Sequence, residues 1–462
     1  MSKHRSVFNS SDLDSSRLDS LREKFGVPGA SLAVWANDRL EEAASGVVNL
    51  NTEVLTTTDT LFQIGSITKL YVAAMCLQLV EEGKLTLDDP IRRWMPDFKL
   101  ADEDVAARLT LRHLLTHQSG LEGDFFKDAG RGEDRIEKFV GMLDTLTQVH
   151  PLGAMFSYCN TGYVIAGRLI EVAANMRWDK AIRNRMAKPL DTPAFSTLPE
   201  QAMRYLTAIG HLGAPGSLMV TPLAYLAQSN APAGSMSMAR ARDVVTFARM
   251  LMGGGVAPNG KRLLSEESVA AMHAMNVTCP KHMNIDAIGL ATFLWDWDDD
   301  GQYETFGHDG STIGQAAWLR YHPASGTVMA LLTNGGNGKG MAQVLMEEIF
   351  EAHAGVTPSK APEATPGYIF DASRYVGRYA NVMETIEVMA EGDGLIAVTT
   401  PSPASAVIAG EKRVALSPVD EELFVGVQPG YTEKATYHFL RGPEGDDIAY
   451  LHSGVRAHKR VE

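Results

Sequence analysis

The sequence predicts an α+β fold followed by a small antiparallel β-barrel. Within residues 1–354, strand-like segments stand near both ends, and the apolar residues between positions 66 and 250 recur mostly with helical spacing. Beyond a proline-rich stretch, the pattern changes to short alternating runs separated by turn residues. Helices packed on a mainly antiparallel sheet explain the first pattern, and a closed antiparallel sheet explains the second.

The first domain is expected to span residues 1–354. A strand pair is expected near its start, because Asn37-Asp38, a pair that favours a turn, lies between two apolar segments. A second pair is expected around the turn-forming residues 323–326. The expected elements are strands over 31–35, 44–50, 316–321 and 328–333, and helices over 70–80, 163–173 and 340–353.

Residues 355–367 are expected to be a linker, because they carry three prolines among small and polar residues. The second domain, residues 368–462, has alternating runs at regular spacing with Gly, Pro and Asp between them. Such spacing is typical of a small antiparallel barrel. Its expected strands lie over 385–389, 394–398, 422–425, 435–439 and 448–451.

Composition disfavours several classes of function. The chain has 462 residues, of which 45% are hydrophobic and 21% charged, as in globular proteins of more than one domain. Its net charge of −14 argues against nucleic acid or an anionic membrane as a partner. The N-terminus shows no apolar core of a secretory signal, and no run approaches about 18 apolar residues. Three cysteines argue against a disulfide framework, so a cytoplasmic location is expected.

The pair Ser66 and Lys69 is the most informative feature of the sequence. A serine hydroxyl is a poor nucleophile and needs a neighbouring base to take its proton. On a helix, residues three apart lie on one face, so Lys69 would stand beside Ser66. A buried lysine can have its pKa lowered enough to act as that base. The apolar segment 70–80 supplies the helix that this geometry requires.

Two further motifs follow at wide spacing. Tyr158 and Asn160 form a Tyr-x-Asn element ahead of an apolar helix, and residues 308–311 read His-Asp-Gly-Ser ahead of an expected strand. The three motifs in this order resemble the penicillin-recognising serine hydrolases, which include class C β-lactamases, low-molecular-weight penicillin-binding proteins, D-aminopeptidases and class-C-like esterases. The segment 375–379 is similar to the start of the lipocalin-like domain of several members.

The resemblance implies catalytic roles for Ser66, Lys69, Tyr158 and His308. Ser66 would be the nucleophile and Lys69 the general base, while Tyr158 would relay a proton to the leaving group. The sequence leaves open whether Lys69 or Tyr158 is the base. Asn160 would orient Lys69 and the amide of the substrate.

The third motif is expected to form the substrate-facing strand. The backbone N–H groups of Ser66 and Ser311 would form the oxyanion hole. Gly310 would let the substrate backbone approach closely, and Asp309 is a candidate substrate-orienting residue. His308 departs from the Lys-Thr-Gly that is typical of β-lactamases and that helps to hold a substrate carboxylate. His-x-Gly occurs in esterases, D-aminopeptidases and peptide-cyclising members, which disfavours a β-lactamase role.

A cationic cluster ends the barrel at residues 452–460. If the barrel covers the cleft, Arg456 would bind a substrate carboxylate bidentately and replace the missing lysine cation. The alternative is a solvated terminus.

The predicted function is that of a serine acyl-enzyme hydrolase or acyltransferase for ester or amide substrates, including peptides with D-residues. Three alternatives remain: a penicillin-binding-protein-type thioesterase that releases and cyclises a non-ribosomal peptide, with a peptide-carrier protein as partner; a class-C-like carboxylesterase; and a catalytically silent binding protein. The expected ligand is a small molecule or a peptide. No cofactor or metal is expected; residues 296–301 begin like a calcium loop, but Gly307 stands where that loop needs a glutamate.

Overall fold

A computed structural model describes residues 8–9, 12–13, 15–213, 216–280, 283, 285–392, 394–403, 405–406, 410–428, 433–442, 445 and 447–461. Within these residues, eight antiparallel strands form one large sheet. The chain segments that frame the helical region meet within this sheet, where Gly29–Ala36 pairs with Thr327–Thr333. In spatial order the strands are Arg39–Gly46, Gly29–Ala36, Thr327–Thr333, Ala316–His322, Thr305–Ser311, Phe293–Trp295, Ala287–Ile288 and Val277–Thr278.

Helices pack on this sheet and bury its apolar side chains. The central helix, Thr68–Glu81, is almost wholly buried, which explains why its sequence is apolar on all sides. It packs against Asn160–Ala174 in the largest hydrophobic cluster of the protein. The α-helices are Ser15–Lys24, Thr68–Glu81, Glu103–Arg108, Leu111–Leu115, Arg135–Gly141, Asn160–Ala174, Trp178–Ile182, Pro199–Ala202, Ala241–Met252, Glu266–His273 and Gly338–His353.

Short elements complete this part of the chain. A π-helical turn covers Arg183–Ala187, and 3-10 turns cover Gly65–Ile67, Ile91–Arg93, Leu143–Thr145 and Gln228–Ala233. The two-stranded pairs are Phe8–Asn9 with Asp12–Leu13, Phe62–Gln63 with Met238–Ala239, and His211–Leu212 with Met219–Val220. None of the helices in the described ranges has the length and apolar character needed to cross a bilayer.

The expected strand over 44–50 is wrong in its position. Asn37 and Asp38 both have positive φ, 51° and 59°, and form the expected tight turn. The second strand therefore begins at once, at Arg39, and ends at Gly46, whose φ of 79° turns the chain away from the sheet. The other expected elements are present and are longer by a few residues. The interval 66–250 contains more loop than its periodicity suggests.

The C-terminal part forms a closed, eight-stranded antiparallel barrel, which confirms the predicted fold class. Its strands follow one another in sequence, and the last pairs with the first through Tyr379 and Arg460. All five expected strands are present, and three were not expected. The strands are Gly377–Ala380, Glu384–Glu391, Gly394–Pro401, Lys412–Pro418, Leu423–Val427, Lys434–Arg441, Ile448–Ser453 and Arg456–Arg460.

The cationic segment is part of this barrel rather than a solvated terminus. Arg456–Arg460 is the closing strand, and His458 on it is fully buried. Residues 356–371 form no helix or strand, and the 3-10 turn Ala372–Arg374 leads into the first barrel strand. The domain boundaries at 354/355 and 367/368 stay predictions.

Candidate active site

Ser66 lies in the 3-10 turn Gly65–Ile67, immediately before the helix Thr68–Glu81. The turn is fixed from two sides, because the N–H of Gln63 donates to the side chain of Gln315 (2.9 Å) and the N–H of Ile64 donates to the carbonyl of Ser237 (3.0 Å). Gly65 has a φ of 50°, which other residues rarely adopt. The Ser66 hydroxyl is therefore presented by a rigid turn.

Lys69 is fully buried directly behind Ser66. Its Nζ lies 2.9 Å from Ser66 Oγ, 2.6 Å from Asn160 Oδ1 and 2.6 Å from the carbonyl oxygen of Ala233. Asn160 Oδ1 and the Ala233 carbonyl can only accept, so a neutral amine would donate its two hydrogens to them and turn its lone pair to Ser66. Burial lowers the pKa of Lys69 well below its usual value, which favours this neutral form.

A buried polar chain continues from Lys69 to the barrel. Asn160 is the first residue of its helix, and its Nδ2 donates to Asp124 Oδ1 (2.5 Å). Asp124 in turn accepts two hydrogen bonds from Arg456, one from Nε and one from Nη2 (3.1 Å). Arg456 begins the last barrel strand. This series of hydrogen bonds therefore joins the barrel to Ser66 through four side chains: Arg456, Asp124, Asn160 and Lys69.

Tyr158 covers this chain from the side of the cleft. Lys69 Nζ lies 4.9 Å from the centre of its ring, and His117 stacks on the ring at 4.3 Å. Burial raises the pKa of the phenol, and the nearby Ser66 lowers it only in part. The hydroxyl is buried without a hydrogen bond of ordinary geometry to the described residues. Tyr158 thus stays protonated at neutral pH, which suits a proton donor better than a base.

The strand Thr305–Ser311 runs past the turn Gly65–Ile67, here called the Ser66 turn, at backbone contact. A Cβ atom on Gly310 would lie 1.9 Å from the carbonyl oxygen of Ile64 and 3.2 Å from the nitrogen of Ser66. One on Gly65 would lie 2.5 Å from the nitrogen of Ser311. The missing side chain of Gly310 therefore makes room for the Ser66 turn, while its expected role in letting the substrate approach stays a prediction. The contact places the backbones of Ser66 and Ser311 side by side.

His308 is buried and stacks on Phe293, with ring centres 3.9 Å apart. Its Nδ1 donates to the carbonyl of Asp309, which leaves Nε2 as an acceptor without a partner among the described residues. Burial lowers the pKa of His308 well below its usual value, so the ring is neutral. Asp309 accepts a hydrogen bond from Arg320 (2.6 Å).

The family follows from comparison with known proteins. The Beta-lactamase family model matches residues 16–354. The chain belongs to the Beta-lactamase family. The resemblance drawn from the three motifs is thereby confirmed, and its relatives are serine hydrolases in the same superfamily as penicillin-binding proteins.

Two relatives of this Beta-lactamase family member, one of them in two crystal structures, cover most of its length. Penicillin-binding protein 4 of Amycolatopsis lactamdurans is 41% identical over 369 residues, which are 79% of this chain and 96% of that protein. The crystal structure of SurE is 28% identical, with a TM-score of 0.77 over 97% of this chain and 98% of that chain. The structure of SurE with D-Leu is 27% identical, with a TM-score of 0.74 over the same shares.

In this Beta-lactamase family member, the predicted residues surround one cleft of about 2130 Å³. One wall is apolar and belongs to a separate hydrophobic cluster around Phe293 and Trp295. Residues of the barrel, including Thr436 and Val455, also line the cleft. The predicted residues in the lining are Ser66, Tyr158, Asn160, His308, Asp309, Gly310, Ser311 and Arg456, while Lys69 lies behind Ser66.

Arg456 lies at the cleft, as expected, but its guanidinium is not free. Besides the two bonds to Asp124, its Nη1 donates to the carbonyl of Gly454 (3.3 Å). The expected grip on a substrate carboxylate stays a prediction. Asp124 and His117 were not expected at the site. Asp124 stands in a loop without a motif, so no local signal could have found it.

Proposed function

We propose that the protein is a serine acyl-enzyme hydrolase or acyltransferase for ester or amide substrates, with Ser66 as the nucleophile. The observation that carries the proposal is the contact of 2.9 Å between Ser66 Oγ and the buried Nζ of Lys69. A serine becomes a useful nucleophile where a base with a lowered pKa faces its hydroxyl. This arrangement argues against a catalytically silent binding protein.

Acylation in this site needs two proton transfers, one away from Ser66 and one to the leaving group. Ser66 Oγ attacks the carbonyl carbon while its proton passes to neutral Lys69, which becomes an ammonium held by Asn160 and Ala233. Collapse of the tetrahedral intermediate breaks the bond to the leaving group. That group takes a proton from Tyr158, and Lys69 returns one to Tyr158. Water or an amine then attacks the acyl-enzyme by the reverse sequence.

The charge on the tetrahedral oxygen would be met by the backbone N–H groups of Ser66 and Ser311. The close packing of their two chain segments supports this role, because a preorganised pair of donors requires fixed backbones. Losing one such donor typically costs about 3 kcal/mol of transition-state stabilisation.

The cleft walls support the proposed substrate class. The aromatic cluster beside His308 suits an apolar acyl side chain, and the neutral His308 supplies an acceptor at Nε2 rather than a cation. We propose peptide-type substrates, including D-residues, partly because the similar SurE was crystallised with D-Leu.

A second candidate is acyl transfer to an amine, as in a thioesterase that releases and cyclises a non-ribosomal peptide. The closed barrel that lines the cleft supports this candidate, because the family resemblance implies that thioesterases of this type carry a C-terminal lipocalin-like domain. The proposal adds a peptide-carrier protein as partner and a cytoplasmic location. Peptidyl thioesters assayed for cyclic against linear product would separate transfer from hydrolysis.

The deciding experiment is Ser66→Ala with Ser373→Ala as the matched control, because Ser373 is a serine of the exposed turn before the barrel. Turnover of p-nitrophenyl esters and labelling by a fluorophosphonate should both be lost in Ser66→Ala and kept in the control. Peptide mapping should place the label on Ser66. More than about a hundredth of the wild-type rate in Ser66→Ala, beyond what the oxyanion hole alone gives, would contradict the assignment.

A further inference from the structure

The last hairpin of the barrel docks against the segment that carries Tyr158. The N–H of Tyr158 donates to the carbonyl of Val455 (2.9 Å), and the N–H of Ala457 donates to Ser157 Oγ (3.1 Å). His452 Nε2 donates to the carbonyl of Phe156 (3.0 Å). The first of these bonds joins backbone to backbone, and the other two each join a side chain to backbone. The three hydrogen bonds therefore hold the last hairpin of the barrel against the segment that carries Tyr158.

The same hairpin brings in the counter-charge of a buried carboxylate. The Asp124 side chain is 3% exposed, and an ionised carboxylate at such depth is costly unless it is paired and hydrogen-bonded. Arg456 supplies two of its hydrogen bonds and Asn160 a third. Asp124 also lies one side chain away from Lys69, because Asn160 contacts both.

We propose that Arg456 is a positioning residue of the active site: by neutralising Asp124 it keeps that carboxylate from holding Lys69 as an ammonium ion. The barrel then completes the active site, because without Arg456 the charge of Asp124, one side chain away, would act on Lys69 unopposed. The inference rests on the proposed function, in which neutral Lys69 is the base.

The electrostatic signs around Lys69 agree with this role. Burial lowers its pKa most, Asp124 acts to raise it, and Arg456 acts to lower it. Removing Arg456 would therefore leave the raising effect of Asp124 unopposed. The remaining groups near Lys69 carry a charge only if they change protonation state. The phenols of Tyr158 and Tyr163 and the thiol of Cys159 are neutral when protonated. The imidazoles of His117 and His308 are neutral when unprotonated.

The test is the pH dependence of kcat/KM for a p-nitrophenyl ester in Arg456→Gln. An opposite charge at close range typically shifts a pKa by one unit or more. The acid limb should therefore move to higher pH by about one unit, with about a tenfold loss below the limb and recovery above it. Arg456→Lys keeps the charge and should keep the limb near its wild-type position.

A second variant separates charge from folding. In Asp124→Asn with Arg456→Gln, both charges are gone, so the limb should return toward the wild-type pH. The matched control is Arg413→Gln, which removes an exposed barrel arginine paired with Glu391 and should leave the profile unchanged. A double variant whose limb stays shifted would overturn the proposal.

Two further measurements separate this proposal from its alternatives. The pKa of Lys69, followed by NMR of ¹³Cε-labelled lysine and assigned with Lys69→Ala, should rise in Arg456→Gln even if turnover by Ser66 fails. A raised Lys69 pKa together with a failure of turnover by Ser66 would refute the proposed function and leave the inference intact. An unchanged Lys69 pKa would overturn the inference. Peptide esters with free and blocked C-termini should be affected equally. Selective loss on the free carboxylate without a limb shift would show that Arg456 binds substrate instead.

Discussion

Replacing Gly310 with alanine tests whether this glycine makes room for the Ser66 turn or for the substrate. The added Cβ would stand 1.9 Å from the Ile64 carbonyl oxygen, whereas ordinary contact begins at 3.4 Å, so the strand and the turn must separate by about 1.5 Å. The obstacle is backbone on both sides and cannot rotate away. Overpacking of this kind typically costs about 1–3 kcal/mol of stability.

The same displacement acts on catalysis through the oxyanion hole. A misplacement of about 1 Å in an active site can cost about a hundredfold in rate. We expect Gly310→Ala to lower kcat/KM by about that factor for a small acetyl ester and for a peptide ester alike. Steady-state kinetics with both substrates and chemical denaturation provide the two readouts.

Gly141→Ala is the matched control, because a Cβ at this helix end would meet nothing within 4 Å. It should leave activity unchanged and should not lower stability, because alanine favours a helix more than glycine does. If Gly310→Ala retained full stability and lost activity only on the bulkier substrate, the glycine would serve substrate approach. The steric reasoning would then be wrong.

Two further predictions concern proton transfer and acid stability. Lys69→Ala and Tyr158→Phe should each lower kcat/KM by several orders of magnitude. The double variant should lose little more than the worse single variant, because the effects of residues in one proton-transfer unit are non-additive. Additive losses in this double-mutant cycle would mean that the two residues act independently. His452 should make the protein acid-sensitive, since burial lowers its pKa to about 3. Its folded-state pKa lies below the usual value of about 6.5, so stability is full above pH 6.5 and falls as the pH drops toward 3. Lowering the pH from 7 to 5 should lower the free energy of unfolding by about 2 kcal/mol through this residue. Denaturation of His452→Gln at both pH values should show that this share of the loss is gone. An equal pH dependence in both proteins would assign the loss to other residues.

Local sequence was sufficient where structure depends on neighbouring residues. The turn at Asn37-Asp38, the buried helix after Ser66 and the alternating strands of the barrel all follow from patterns a few residues long. The three motifs likewise indicated the family, because the spacing of Ser66 and Lys69 on one helix face is itself a local property. The error at strand 44–50 arose where tertiary pairing, rather than apolar content, decides the end of a strand.

The tertiary structure alone decided how the chemistry is assembled. Asp124 carries no motif, and its contact with Arg456 joins residues 332 positions apart, a separation that no local pattern encodes. The reason that Gly310 must be glycine is the carbonyl of Ile64, which lies far away in sequence and is brought near only by the sheet. Sequence determines which groups are present and which secondary structure carries them. Burial and long-range pairing then decide which of those groups are charged and which of them touch, because desolvation and close contact exist only in the folded chain.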